Sequence, residues 1–197
     1  MYIAFEGIDL VGKSSQIELM KKEFPNFIFT KEPGGTEFGK KIREIVLHDN
    51  FELSRISEFL LFLSDRSEHY QKVIKPNLEN GKIVVSDRTL ISGMAYALQN
   101  GGISKDEVLN LNLMVIEKKL PDLTIFIKIS ENELMKRRSL KSHDNIENRG
   151  IQYALEVQNL LEYWIDKLDL NVLTIDASNS IDDIFQDIKN KIDFNLT

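Results

Sequence analysis

Five short apolar runs along the chain have the composition of buried β-strands. They are continuous and do not alternate with polar residues, which is typical of strands that are covered on both faces of a sheet. The runs are Tyr2–Phe5, Phe27–Thr30, Lys82–Ser86, Leu123–Ile129 and Val172–Ile175. We therefore expect a sheet with helices packed on both of its sides.

The segments between these runs repeat their apolar residues at the period of an α-helix. The clearest stripes begin at Ile17, Phe38, Tyr153 and Ile181. Strands that alternate with helices in this way predict an α/β fold with a parallel sheet and right-handed crossover connections.

Several polar residues and one proline predict where individual helices begin or end. Ser104 and Ser130 each precede a glutamate by three residues, which is the spacing of a capping box and predicts a helix start. Pro76 should end or kink the long helix that is expected to begin near Ser54.

Composition narrows the class of protein. The chain has 197 residues, which predicts one domain over 1–197, and its net charge of −6 favours neither a nucleic acid nor an anionic membrane as partner. The absence of cysteine excludes disulfides, thiol catalysis and thiolate metal sites. Met1 leads directly into a strand and the longest apolar run, Phe59–Leu63, is too short for a bilayer, so we expect a cytoplasmic protein without a secretory signal.

The first apolar run is followed by a phosphate-binding pattern. Gly7, Gly12, Lys13 and Ser14 fit G-x-x-x-x-G-K-[ST] between a predicted strand and a predicted helix. Glycines let main-chain N–H groups surround a phosphate, and the lysine reaches the β- and γ-phosphates of a nucleoside triphosphate. The residues predicted to bind the triphosphate are Gly7, Ile8, Asp9, Leu10, Val11, Gly12, Lys13, Ser14 and Ser15.

A phosphate-binding loop of this kind works with Mg²⁺ and with a second acidic residue at the end of another strand. Asp87 closes the third apolar run and is predicted to hold Mg²⁺ together with Ser14, partly through water; Asp9 is a second acidic candidate. The alternative for Asp87 is a helix cap or a turn residue. Arg88 follows directly and indicates a clamp for a transferred or accepted phosphate.

A kinase needs a second anion-binding surface that a hydrolase does not. Arg43, Arg66 and Arg88 lie in segments that flank the carboxyl ends of predicted strands, where the ligands of open α/β sheets bind. Ordinary ion pairs are the alternative, with Glu37 or Glu44 for Arg43 and with an acid on its own helix for Arg66.

Five stretches, in this order and spacing, resemble the thymidylate (dTMP) kinase family: "FEGIDLVGKSS", "KEPGGT", "LLFLSDRSEH", "VIKPNLENGKIVVSDR" and "SGMAY". The resemblance implies a doubly wound P-loop kinase fold with strand order 2-3-1-4-5 and a short lid at about 136–150. It also implies transfer of the γ-phosphoryl group of ATP to dTMP, giving dTDP and ADP for dTTP synthesis, with Mg²⁺ and as a homodimer.

The resemblance further implies roles for residues that would bind dTMP. Phe62 would stack on the thymine ring, and Arg66 would hydrogen-bond the base, favouring a keto oxygen over an amine. Arg43 and Arg88 would hold the 5′-phosphate. Tyr96 would lie under the deoxyribose and disfavour a 2′-hydroxyl.

Glu32 and Pro33 would shape the monophosphate pocket, and Asp9 would sit near the acceptor phosphate and the metal ion. For Phe62 and Tyr96, periodicity alone favours the plainer alternative of core packing.

The chain departs from the commonest family pattern at Thr89, where a tyrosine is usual, at Ala97, where a glutamine is frequent, and at Asn145, where the lid usually has an arginine. Members of this family whose P-loop lacks a basic residue before the lysine usually carry catalytic arginines in the lid, so the resemblance implies a lid cation here. Arg138 is the first candidate and Lys141 the second. The alternative is a solvated basic helix end that complements the helix dipole.

Histidine chemistry is not expected here, because the acceptor is a phosphate that is already ionised near neutral pH. His48, His69 and His143 are each predicted to be surface or lid residues. Catalysis would come from positioning and charge neutralisation.

Other interpretations remain open at the level of sequence. One is a kinase for UMP, CMP or GMP; a second is a regulatory or motor NTPase; a third is a nucleotide-binding module without catalysis, suggested by Thr89 and Asn145. The apolar helices around Phe59–Leu63 and Leu109–Val115 favour the dimer, although burial in the core explains them nearly as well.

Overall fold

The computed structural model describes residues 1–47, 49, 51–138 and 149–196, and this part of the chain contains one five-stranded parallel sheet. Its strands are β1 (Tyr2–Glu6), β2 (Ile28–Lys31), β3 (Val84–Asp87), β4 (Leu123–Lys128) and β5 (Val172–Asp176). The order is β2-β3-β1-β4-β5 and every neighbouring pair is parallel, as expected. Each strand matches a predicted apolar run to within two residues at either end.

Helices connect the strands and cover both faces of the sheet. They are α1 (Lys13–Glu23), α2 (Glu37–Leu47), α3 (Arg55–His69), α4 (Lys75–Glu79), α5 (Leu90–Asn100), α6 (Lys105–Val115), α7 (Glu131–Arg138), α8 (Ile151–Lys167) and α9 (Ile181–Leu196). Consecutive residues of β1 point to opposite faces, yet Ile3, Ala4 and Phe5 are all fully buried. The sheet is therefore doubly wound, as the resemblance implied.

The strand register places the carboxyl ends of the adjacent strands β2, β3 and β1 side by side. Asp87 of β3 lies opposite Phe5 of β1 and opposite Lys31 of β2. The segments that follow these strands consequently meet at one edge, which is where an open α/β sheet binds its ligands.

The long helix predicted to begin near Ser54 starts there and changes its winding before Pro76. The Ser54 hydroxyl accepts a hydrogen bond from the Ser57 N–H, which caps α3. A π-helical turn, Tyr70–Ile74, separates α3 from α4, and Pro76 occupies the first turn of α4. Proline lacks an N–H to donate, so a position in a first helical turn suits it. The helix therefore does not end at Pro76: the winding changes over the five residues before Lys75, and helical structure continues to Glu79.

Both predicted helix starts are also confirmed, with different caps. Ser104 and Glu107 form a complete capping box at α6. The Ser130 hydroxyl accepts from the Glu133 N–H at 3.4 Å, but the Glu133 carboxylate accepts from Arg137 at 2.8 Å. The Glu133 carboxylate therefore holds Arg137 and does not complete a capping box.

Besides the main core around the sheet, a small second cluster consists of Ile42, Val46 and Leu47, with Phe62 packed against it. This cluster joins α2 to α3 beside the cleft described below. None of the helices in the described part of the chain has both the length and the apolar character needed to cross a bilayer.

Candidate active site

The loop between β1 and α1 has the backbone shape of a phosphate cradle. Gly7 and Gly12 have φ values of 143° and 101°, and Leu10, at 70°, is also left-handed. A Cβ on Gly7 would lie 2.5 Å from the main-chain oxygen of Ile127, so only glycine fits there. Gly12 precedes α1 and provides no side-chain cap, which leaves the first N–H groups of that helix for an anion.

Lys13 is buried inside this loop and is held by the loop itself. Its Nζ donates to the main-chain oxygen of Gly7 at 2.9 Å and to that of Ile8 at 2.8 Å. Burial, and then the nearby positive charge of Arg88, together lower the pKa of the ammonium to about 8. A bound phosphate would favour the charged form, so the lysine is poised to gain an anionic partner.

Asp87 and Ser14 both line the cleft that the P-loop residues Gly12 and Lys13 also line. The Asp87 Oδ1 atom is buried and has no hydrogen-bond partner among the described residues, while α5 is capped by Thr89, so the cap alternative for Asp87 is wrong. The described residues contain no cluster of three or more His, Asp or Glu that could cage a metal. A Mg²⁺ site that draws its other oxygens from phosphates and water needs no such cage. An unpartnered carboxylate oxygen on a residue that lines the same cleft as Ser14 fits such a site.

Arg88 stands between the loop and α5. Its Nη1 donates to the Gly7 main-chain oxygen at 2.9 Å and to the Ser92 hydroxyl at 3.0 Å, and its Nη2 donates to Asp9 at 2.5 Å. The guanidinium also lies 5.5 Å from the centre of the Tyr96 ring. Burial of Asp9 raises the pKa of that carboxyl, but Arg88 and Lys13 outweigh it and the net direction is downward.

Glu6 was not predicted as a site residue, and it anchors the segment that carries Arg88. Its buried carboxylate accepts from the Thr89 N–H at 2.8 Å, from the Thr89 hydroxyl at 2.7 Å and from the Ser92 hydroxyl. Burial raises the pKa of this carboxyl. Thr89, which departs from the usual tyrosine, thus replaces an aromatic contact by a buried hydrogen bond. The glutamate in "FEG" was the available signal.

A second cleft, the acceptor cleft, lies beyond Arg88 and has an empty volume of about 580 Å³ including its open mouth. All seven residues predicted to bind dTMP line it, together with Asp9 and Asp65. The seven are Glu32, Pro33, Arg43, Phe62, Arg66, Arg88 and Tyr96. The structure therefore brings together segments that are far apart in sequence.

The two motifs "KEPGGT" and "LSDRSEH" pack against each other at the back of this cleft. The Gly34 N–H donates to the Asp65 carboxylate at 3.1 Å. A Cβ on Gly35 would lie 2.3 Å from the His69 ring, and one on Gly39 would lie 2.1 Å from the Asp65 carboxylate. These glycines are required because the helix carrying Arg66 approaches so closely.

Arg66 is buried in the wall of the cleft, and its partners come from other elements. The Nε atom donates to Glu32 at 2.8 Å, Nη1 donates to the Asn112 side-chain oxygen at 2.6 Å, and Nη2 donates to the Thr89 main-chain oxygen at 3.3 Å. The alternative pairing with an acid on its own helix is therefore wrong. Burial raises the pKa of Glu32, but Arg66 and a hydrogen bond from His69 outweigh it, and the pKa is lowered.

The prediction that His69 is a surface or lid residue is wrong. The ring is fully buried, with Nε2 2.6 Å from the Thr30 hydroxyl and Nδ1 2.9 Å from Glu32. Sequence could not separate it from a surface histidine, because its partners lie on β2 and just after it. His48 and His143 lie outside the described residues.

The neighbouring Asp65 carboxyl is also buried. Burial, and then the charge of Glu32, raise its pKa from 3.8 to about 6.

Arg43, Phe62 and Tyr96 complete the cleft with looser contacts. The Arg43 guanidinium donates to the Pro33 main-chain oxygen at 3.1 Å and not to Glu37 or Glu44. Phe62 and Tyr96 are half-buried, so each packs in part against core residues and in part faces the cleft. Each ring therefore has both predicted roles: one part of it packs in the core, and another part is available to a ligand.

The donor cleft is lined by the P-loop and extends over Ser14, Ser15 and Asp87. It shares four lining residues with the acceptor cleft, namely Asp9, Glu32, Arg43 and Arg88. The two clefts are thus contiguous, and two anions, one in each, would meet at Arg88.

Among the described residues of α7, Arg137 lines the donor cleft. Its Nη1 donates to the Leu10 main-chain oxygen at 3.0 Å and its Nη2 to that of Ala177 at 2.6 Å. The assignment of a lid cation to Arg138, the last residue of α7, stays a prediction. Lys141 and Asn145 lie outside the described residues.

Comparisons with known proteins agree with this geometry. The family model described as thymidylate kinase matches residues 5–188. Thymidylate kinase of Sulfurimonas denitrificans is 47% identical over 98% of this chain and 99% of its own length. That of Campylobacter curvus is 46% identical over 98% of this chain and 100% of its own.

A solved structure, thymidylate kinase from Ehrlichia chaffeensis, superposes with a TM-score of 0.77 at 26% identity, covering 98% of both chains. Family model, relatives and fold agree over nearly the whole length. The chain therefore belongs to the thymidylate kinase family, the enzymes that phosphorylate dTMP on the route to dTTP.

Proposed function

We propose that this chain transfers the γ-phosphoryl group of ATP to dTMP, giving dTDP and ADP, with ATP in the donor cleft and dTMP in the acceptor cleft. One observation carries the proposal: Arg88 contacts the P-loop through Gly7 and Asp9 and at the same time lines the acceptor cleft. A hydrolase would have no need for a second cleft that opens onto the same arginine.

The reaction would proceed by positioning and charge neutralisation. The acceptor phosphate, with a second pKa of about 6, supplies an oxyanion without a general base. Arg88 and Arg43 would hold that phosphate, and Lys13 with the P-loop N–H groups would bind the β- and γ-phosphates, so that attack is in line. Charge that develops on the transferred group would be stabilised by Lys13 and Arg88, whose donors are already oriented.

Mg²⁺ would be held by Ser14 and, through water, by Asp87, and when bound it supplies neutralisation of charge on the β- and γ-phosphates. The buried Asp87 Oδ1 without a partner supports this assignment. Glu32 would act through Arg66 and would not contact the phosphate, since its two oxygens accept from Arg66 and His69.

A homodimer in the cytoplasm is part of the proposal, and so is a single domain over 1–197. Ile56 and Leu60 on α3 and Met114 on α6 are exposed, Met114 with 65% of its surface, while Phe59 and Leu63 are buried. A second copy would cover this apolar surface. Light scattering after size exclusion should give twice the chain mass of 22.7 kDa, and Leu60→Glu should give a monomer.

One coupled assay of ADP formation tests the proposed activity. Wild-type protein with ATP and Mg²⁺ should form ADP when dTMP is added, and far more slowly with UMP, CMP or GMP. ADP formation without an acceptor would indicate a regulatory or motor NTPase, and no ADP with any acceptor would indicate a binding module. A preference for another monophosphate would overturn the assignment of dTMP.

A further inference from the structure

Arg66 is positioned by groups that do not themselves need to touch a ligand. A guanidinium has five N–H donors, and three of those of Arg66 are used by Glu32, Asn112 and the Thr89 main-chain oxygen. Within the described part of the chain this leaves one N–H on each terminal nitrogen. Because Arg66 lines the acceptor cleft, these two N–H groups are the donors that a ligand base can meet.

Asn112 fixes one of the two terminal nitrogens. Its side chain is fully buried, and its Nδ2 donates to the Val108 main-chain oxygen at 2.7 Å, one turn earlier on α6. That bond orients the amide so that Oδ1 faces Arg66, where it accepts from Nη1. The asparagine is thus an oriented acceptor that joins α6 to the wall of the cleft.

Gly93 lies directly against the guanidinium of Arg66. A Cβ at this position would be 2.4 Å from Nη2 and 2.7 Å from Nη1 of Arg66. Gly93 lies in α5 and its φ is not in the left-handed region, so the backbone itself would tolerate alanine. The three atoms nearest to the added Cβ all belong to the Arg66 guanidinium, so an alanine would press on that group and not on a main-chain segment.

We propose that Asn112 and Gly93 are specificity-determining positioning residues, which hold the free N–H groups of Arg66 so that the cleft accepts a pyrimidine with a 4-keto oxygen and rejects a 4-amino group. A keto oxygen can accept from these donors, whereas an amino group would present its own hydrogens to them. This inference rests on the proposed function, and it assigns base selection to two residues that contact the Arg66 guanidinium, Asn112 by a hydrogen bond and Gly93 by close packing.

The first test replaces Asn112 by leucine, which has a similar branched shape and no acceptor. For Asn112→Leu we expect the KM for dTMP to rise at least tenfold, with kcat at saturation and the KM for ATP changed less than threefold. The ratio of kcat/KM for dTMP to that for dCMP should fall at least tenfold. Asn110→Leu, the same exchange at an exposed position of α6, should change none of these values.

Two further variants separate positioning from a general loss of structure. Asn112→Asp keeps an acceptor for Arg66 and should restore the dTMP:dCMP ratio to within threefold of wild type. Gly93→Ala should lower that ratio like Asn112→Leu, because it displaces the same guanidinium from the other side. Inhibition by 2-deoxyribose 5-phosphate, which has no base, should be equal in all variants, whereas a collapsed pocket would weaken it.

The outcomes distinguish this inference from the proposed function. If wild-type protein shows no ADP formation dependent on dTMP, the proposed function fails. If the wild type is active and Asn112→Leu and Gly93→Ala both keep the wild-type dTMP:dCMP ratio within twofold, the positioning role is wrong while the activity stands. An equal loss for both nucleotides and for 2-deoxyribose 5-phosphate would likewise overturn it.

Discussion

The donor cleft and the acceptor cleft hold their buried cations in different ways. Lys13 in the donor cleft is bound by main-chain oxygens five and six residues away, within its own loop. Arg66 in the acceptor cleft is bound by side chains 34 and 46 residues away, which belong to a loop and a helix from other parts of the fold.

Under the proposed function, this difference corresponds to what each cleft would have to recognise. The phosphates are the same in every nucleoside triphosphate, so a short loop with fixed backbone geometry is sufficient to bind them. A base is distinguished by single hydrogen-bonding groups, which requires donors held rigidly from several directions. The acceptor cleft is therefore a property of the tertiary structure, and the donor cleft is largely a property of one local segment.

The largest effect should follow from removing the donor-cleft cation. Lys13→Met should lower kcat by about 10³-fold or more, because the developing charge on the transferred group loses a buried positive partner. The dissociation constant for dTMP, measured by calorimetry, should stay within threefold. Lys22→Met, at an exposed position of the same helix, is the matched control. Loss of dTMP binding in Lys13→Met would show that the two clefts are not separable.

Arg88 should affect both clefts at once. Its guanidinium donates to three partners from two terminal nitrogens, which one ammonium cannot reproduce, so Arg88→Lys should lower kcat by about 10²-fold and raise the KM for dTMP. Arg43→Lys, which loses a contact to one main-chain oxygen, should show a smaller change in steady-state assays. Equal effects of the two exchanges would contradict a special position for Arg88.

Alanine variants of Arg137, Arg138 and Lys141 test which of these residues acts on the ATP phosphates. Arg137→Ala should raise the KM for ATP several-fold, because Arg137 joins the P-loop at Leu10 to the segment at Ala177. Arg138→Ala or Lys141→Ala should lower kcat at least tenfold for whichever is the catalytic cation. Unchanged kcat in both of these variants would remove the proposed lid cation.

A different kind of effect concerns stability and the acceptor cleft alone. Asp65 has a folded-state pKa of about 6 against 3.8, so between pH 4 and 6 the folded protein keeps a proton that the unfolded chain loses. Stability from this group therefore falls as pH rises through that window, by up to about 3 kcal/mol. Asp65→Asn cannot ionise and should be more resistant to heat than wild type at pH 7.5, but not at pH 4.5.

Thermal unfolding at both pH values checks this, with the exposed Asp166→Asn as control. A wild-type midpoint that shifts with pH just as much as that of Asp65→Asn would show that Asp65 stays ionised in the folded protein.

The same contrast explains how much could be predicted from the sequence. The strands and the P-loop follow from local pattern, because they depend on residues that are neighbours in the chain, and the structure agrees. The strand order came from the resemblance alone, and it too agrees. The burial of His69, the role of Glu6 and the partners of Arg66 depend on contacts between distant segments, which no local pattern contains.

Glycines in the sequence mark the places where segments approach closely around the acceptor cleft. Gly35 and Gly39 in "GGTEFG" are small because His69 and Asp65 approach them, and Gly93 is small because Arg66 does. Paired motifs of this kind can only be recognised once both partners are seen in space. For that reason the resemblance, and not periodicity, placed Phe62 and Tyr96 in the site, whereas Arg66 is already a candidate from its position in the sequence.

The central claim is that the two clefts meet at Arg88 within one chain. Calorimetry with adenosine and thymidine joined at their 5′-oxygens by five phosphates tests it directly. One molecule should bind per chain, at least a hundredfold more tightly than dTMP, and saturation with it should abolish binding of both dTMP and a non-hydrolysable ATP analogue. A complex that still binds dTMP with unchanged affinity would mean that the clefts are not contiguous, and phosphoryl transfer between them would be excluded.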